Sequence, residues 1–264
     1  MNQKSSLSGC VVIVVLLVMF ACIAGAIGIA ALFLTGNADI SFQRTDASPS
    51  PRSVVTLAPP ERTVPSGSPS EFGEGYDPAE WNTTVLVDDF SLQNWRTFSV
   101  ENGISYGEYQ GEQYHFHLEG VQKLLWVTSG EVYASDVIVE ADITPTVASS
   151  PGNNYGLICR FEDNDNFYLL VYNNEGSAGI AKIKNGDIIT LEPFKMAFPA
   201  LSPHSTHRAS AECVGSVLRL YIDGKEVLTA YDNDFIAGDV GFVAGTFNNP
   251  PADVLFDNLV VRTR

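Results

Sequence analysis

Few residues in this chain have both the types and the spacing that chemistry needs. His115 and His117 alternate in the run EQYHFHL, so a strand would place both imidazoles on one face, where they could share a metal ion. A third ligand is not close in sequence, because His204 and His207 belong to a separate stretch, FPALSPHSTHR. The pattern therefore favours surface histidines over a metal pair. Residues 162–166, Glu-Asp-Asn-Asp-Asn, resemble a calcium loop in composition only. Counting from Asp163, an EF-hand would need an oxygen ligand where Phe167 stands and a glycine where Tyr168 stands, so a turn is expected instead. In NFYLLVY, Phe167, Leu169 and Val171 alternate with Tyr168, Leu170 and Tyr172. The first set reads as core. Tyr168 and Tyr172, joined by Trp126, are the candidate ligand-binding residues, since tyrosine and tryptophan offer a ring for sugar stacking and a polar group for its rim. The competing reading buries both faces in a thick sandwich. Neither a G-x-S-x-G elbow nor a phosphate-binding glycine loop is present.

Such side chains must be held by strands. From Trp81 onward, short apolar or alternating runs recur about every ten residues with turn signals between them, and no helical period is sustained. Fourteen runs qualify, from TVLVDDF to VLFDNLVV. Asn185-Gly186 and Asp223-Gly224 have the chemistry of two-residue hairpin turns. In residues 136–144, Val137, Val139, Ala141 and Ile143 share one face, while Asp136, Glu140, Asp142 and Thr144 share the other with Ile138. The expected class is all-β, a jelly-roll sandwich of two antiparallel sheets over residues 81–264.

The chain carries 31 acidic and 15 basic residues, a net charge of −16. That excess argues against nucleic-acid partners, which require Lys and Arg to replace phosphate counterions. Between Gly9 and Thr35 there is no charged residue, and more than about 20 apolar residues span a ~30 Å hydrocarbon core. Residues 9–35 are expected to be a transmembrane helix and signal anchor. Lys4 precedes it and no basic residue follows before Arg44, which orients residues 1–8 to the cytoplasm and the remainder outside the cell. Residues 36–80 are rich in Pro, Ser and Thr and read as a disordered linker, able to reach up to ~100 Å when extended. In an oxidising exterior, Cys159 and Cys213, both on core-facing strand positions, are expected to form a disulfide rather than two buried thiols.

The order DDFS…W, DVIVEADITP, YGLICRFEDNDNFYLLVYNNEG, AECVGSVLRLYIDGKEV, GDVGFVAGTF and VLFDNLVV resembles the concanavalin A-like lectin/glucanase superfamily. It looks most like the glycoside-hydrolase-16-like, 3-keto-disaccharide-hydrolase-type domains of bacterial envelope proteins. Three functions follow as expectations: carbohydrate or envelope-ligand binding without catalysis, a glycoside-processing hydrolase, or an adhesion module that binds protein. The resemblance implies a strand motif with three carboxylates on one face. Here Glu140 and Asp142 match, but Pro145 stands where the second glutamate belongs, so the retaining pair is incomplete. It also implies a structural calcium held by an aspartate of the last strand, which FDN at 256–258 assigns to Asp257.

Overall fold

The computed structural model describes Trp81 and residues 83–100 and 103–264, so the cytoplasmic segment, transmembrane helix and linker expected over 1–8, 9–35 and 36–80 lie outside the described residues. No helix among the described residues is long and apolar enough to cross a membrane. The alternating runs become fifteen strands among the described residues, in two sheets whose pairings are all antiparallel.

One sheet is built from β1 (Thr83–Asp88), β2 (Phe98–Val100), β3 (Ser105–Gln110), β4 (Gln113–Leu118), β6 (Val137–Pro145), β11 (His207–Val214), β12 (Val217–Ile222), β13 (Lys225–Tyr231) and β15 (Ala252–Thr263). Its order is β13-β12-β11-β6-β15-β4-β3-β2, with β1 also on β15. The other runs β10-β9-β8-β7-β14-β5, from β5 (Leu124–Thr128), β7 (Asn154–Asp163), β8 (Asn166–Tyr172), β9 (Ser177–Lys184), β10 (Asp187–Met196) and β14 (Asp239–Gly245). This is the expected jelly-roll sandwich. Fourteen of the strands coincide with the runs read from sequence.

The core lies between the sheets, and Val137, Val139, Ala141 and Ile143 point into it as their alternation predicts. Cys159 on β7 and Cys213 on β11 are fully buried there and bonded, so a disulfide joins one sheet to the other. The two hairpin turns also form as read, with Asn185, Gly186, Asp223 and Gly224 all at positive φ. Residues 162–166 are a turn: Asp163 pairs with Asn166, and its Oδ1 accepts from Asp165 N–H at 2.8 Å.

A second apolar cluster lies on the opposite face of the six-stranded sheet. It comprises Ile158, Phe167, Leu169, Val171, Ile183 and Val243. A bulge in β7 between Cys159 and Asp163 extends this field by reversing the alternation. Arg160, at φ 51, turns inward and is only 1% exposed. Its guanidinium donates to the carbonyls of Ser135 (2.8 Å), Gly215 (2.8 Å) and Phe235 (3.0 Å) and stands 3.7 Å from Asp136. Phe161, which strict alternation would send inward, joins the outer cluster.

Candidate functional site

The two outward faces differ in chemistry. On the nine-stranded sheet the polar groups are paired with each other. Arg262 binds Glu140, and Arg208 Nη1 reaches Asp142 at 3.1 Å, so both carboxylates of the partial glucanase motif are held by arginines. Pro145, at the position of the missing acid, is buried. Asn258 Nδ2 donates to Asp142 as well, at 2.9 Å. Further along, Glu212 accepts from Arg219 (2.5 Å) and from the Tyr221 hydroxyl (3.1 Å).

His115 and His117 share one carboxylate, Asp253 of β15. His117 Nδ1 is 2.6 Å from Asp253 Oδ2, and His115 Nε2 lies 3.1 Å from Oδ1. Tyr106 stacks on His117 with centroids 5.2 Å apart. Burial raises the Asp253 pKa, but the interactions with His115, Thr146 and His117 outweigh it and bring the group down to about 2.

Asp257 is flanked by its own strand and by β4. Its Oδ1 accepts from Asn258 N–H at 2.7 Å, and Gln113 Nε2 approaches Oδ2 at 3.4 Å. Burial raises its pKa, and the charges of Asp142 and Asp89 add to the effect. Among the described residues, no three His, Cys, Asp or Glu side chains are placed to hold a metal ion. The expected calcium site is of another kind, one aspartate with backbone carbonyls, in which Asp257 would be the side-chain ligand.

The six-stranded sheet offers aromatic surface instead. Trp126 of β5 and Phe194 of β10 rise from opposite edge strands, and both are half-buried against the outer cluster. Trp126 packs on the buried Phe167 with centroids 5.4 Å apart, and its Nε1–H donates to Asn164 Oδ1 at 3.3 Å. Phe161 meets the same Phe167 at 5.3 Å. Phe194 lies over Gly179, where an added Cβ would come within 3.0 Å of its ring, and contacts Phe247 at 5.5 Å. Glycine at 179 thus lets the ring lie against the sheet. The result is a fully covered apolar floor under partly exposed rings. At the end of β7, Asn154 is buried, and its Oδ1 has no hydrogen-bond partner among the described residues.

The sequence-derived candidates divide accordingly. Trp126 belongs to this surface. Tyr168 and Tyr172 do not: both are fully buried in the inter-sheet core, so the expected groove-facing position is corrected. Tyr168 donates to Asp232 at 2.5 Å and accepts from Phe235 N–H at 3.0 Å. Tyr172 packs edge-on against Tyr155 at 4.9 Å. The alternation was right and the side assignment reversed: the inter-sheet core buries both tyrosines, Tyr168 with its hydroxyl paired and Tyr172 with its hydroxyl unpaired among the described residues, while Phe167, Leu169 and Val171 face outward under other rings. Phe161 and Phe194 were missed, the first because a bulge is invisible to alternation.

No family model matches the chain, and no curated protein matches it. Solved structures similar to the chain include a carbohydrate-binding module, CBM66, from Bacillus subtilis. It is 20% identical over 70% of this chain and 96% of that one, with a TM-score of 0.47. A GlcNAcα1-4Gal-releasing endo-β-galactosidase from Clostridium perfringens is 11% identical over 70% of this chain and 62% of its own, TM-score 0.48. A Bacillus licheniformis β-glucanase is 13% identical over 68% and 97%, TM-score 0.45. At these identities and TM-scores the likeness carries neither substrate nor reaction.

Proposed function

We propose that the domain is a carbohydrate-binding module whose ligand lies on the outward face of the six-stranded sheet. The observation that carries this reading is the set of partly exposed rings, Trp126, Phe161 and Phe194, resting on one buried apolar floor. Pyranose rings present apolar C–H faces that stack on such platforms, and their hydroxyls need polar partners at the rim. Asn164 supplies an amide group there. By contrast, the acids of the other sheet's outward motif are tied to arginines, which suits a structural role better than glycoside hydrolysis. The module is displayed outside the cell from a membrane helix over 9–35, on the tether of residues 36–80.

A glycan array probed with the full-length chain in detergent, followed by titration of any hit, tests the binding. Trp126→Ala is expected to weaken affinity at least about tenfold, or ~1.4 kcal/mol, at a temperature where melts show both proteins folded. Equal binding by wild type and variant, or a wild type blind to every glycan, overturns the proposal. Protease added to intact cells should release the folded domain and leave the N-terminus protected.

A further inference from the structure

A hydrogen-bonded relay stands apart from the aromatic platform. Ser205 Oγ is 2.5 Å from His207 Nε2, and His207 Nδ1 is 2.6 Å from Asp223 Oδ2. The fold assembles it from two places. Ser205 lies in the loop that leads into β11, whose first residue is His207, and the Asp223-Gly224 turn of the β12–β13 hairpin returns alongside. Asp223 N–H donates to the Arg208 carbonyl at 2.8 Å, and Arg208 N–H donates to Asp223 Oδ1 at 3.0 Å. The carboxylate is thereby fixed with its other oxygen toward the imidazole. Thr206 bonds Thr144 at 2.7 Å and pins the loop to β6.

Proton placement follows from the partners. A carboxylate facing Nδ1 makes that nitrogen the donor of the neutral ring and leaves Nε2 as an acceptor. Ser205 Oγ has a second neighbour, the Ser202 carbonyl at 2.6 Å. That oxygen accepts from the Ser205 hydroxyl and also from Ser205 N–H at 3.3 Å and Asn174 Nδ2 at 3.1 Å. The one hydroxyl proton thus has two acceptors in reach, the Ser202 carbonyl and His207 Nε2, and rotation about Cβ–Oγ delivers it to the imidazole. The His207 side chain is only 15% exposed, while Ser205 is partly open to solvent.

We propose that Ser205, His207 and Asp223 form an acyl-transfer triad that hydrolyses small esters. This arrangement recurs on unrelated folds and is defined by geometry and roles, not by chain order. Ser205 Oγ attacks the ester carbonyl carbon while its proton passes to His207 Nε2, and the carbonyl π pair moves onto oxygen. Collapse re-forms the carbonyl and breaks the bond to the alkoxy oxygen, which leaves as the alcohol with the proton from Nε2. Water then adds to the acyl-serine by the same route, giving the carboxylic acid and the free hydroxyl. Asp223 holds the tautomer and stabilises the imidazolium.

The test treats the full-length protein in detergent with a fluorophosphonate probe and, separately, with p-nitrophenyl acetate. Wild type is expected to carry one adduct, located by mass spectrometry at Ser205, and to turn over the ester. Ser205→Ala should abolish both, and His207→Gln should slow labelling and turnover by about 100-fold or more. Asp223→Asn, which keeps the turn, provides a second variant if His207→Gln fails to fold, and it should also slow both. An unlabelled wild type, or labelling at Ser205 that neither His207→Gln nor Asp223→Asn slows, overturns the proposal.

Discussion

Tyr168 and Tyr172 stand two positions apart in the same core and differ in what their hydroxyls do. Tyr168 satisfies Asp232 and the buried Phe235 N–H, whereas the Tyr172 hydroxyl is buried with no hydrogen-bond partner among the described residues. Tyr168→Phe should cost about 1–3 kcal/mol by leaving a buried donor unpaired. Tyr172→Phe should be neutral or stabilising. Urea titration of both variants compares them, and equal losses would contradict the assignment. Asp253 makes a pH-dependent contribution. Its folded pKa lies below the unfolded one, so its stabilisation is present above about pH 4 and lost as pH falls toward 2. With a shift to about 2, the group contributes roughly 2 kcal/mol. Asp253→Asn should lower neutral-pH stability by about that amount and flatten the acid limb of the melting curve. Asp257 runs the opposite way. Its pKa is raised, so stability gains as pH falls through that pKa, and Asp257→Asn should leave the melting temperature unchanged or higher in chelator. A melting temperature lowered by this substitution only when calcium is present would instead reveal a bound ion.

At the scale of elements, strand identity was readable because fourteen runs carry apolar or alternating residues and the hairpin turns carry Asn-Gly or Asp-Gly. The run SYGEYQ was not readable. At its centre Gly107 faces the core, where an added Cβ would come within 2.7–2.9 Å of Phe98, Tyr114 and Phe116. A position that must be empty leaves no apolar signal. The candidate site was less legible than the fold, for a related reason: its members converge from edge strands, a bulge and a loop. Trp126 was nameable as an aromatic between apolar residues, but Phe161 changes face at a bulge, and Ser205 and His207 meet Asp223 only through the β11–β12–β13 meander. The Cys159–Cys213 bond, by contrast, followed from alternation plus compartment. It closes 54 residues and ties the sheets together. In the chain-entropy account its removal by Cys159→Ser/Cys213→Ser should cost about 4 kcal/mol, read as a lower denaturant midpoint. A double variant as stable as wild type would show that packing alone sets the sheet spacing.

The described domain presents one outward face of paired charges and another of aromatic rings, on a chain with net charge −16. Acidic groups keep such a domain soluble while its apolar face stays available to a neutral ligand. Strand β15 adds a constraint of a different kind. It lies inside the nine-stranded sheet, with β6 along one side and β4 and then β1 along the other. During synthesis, Phe256, Leu259 and Val261 are among the last core residues to emerge, so β6 and β4 wait with unpaired edges until then. Folding of the domain closes only once β15 has emerged, and a ribosome stalled before Ala252 leaves a nascent chain with its central seam open to chaperones and proteases.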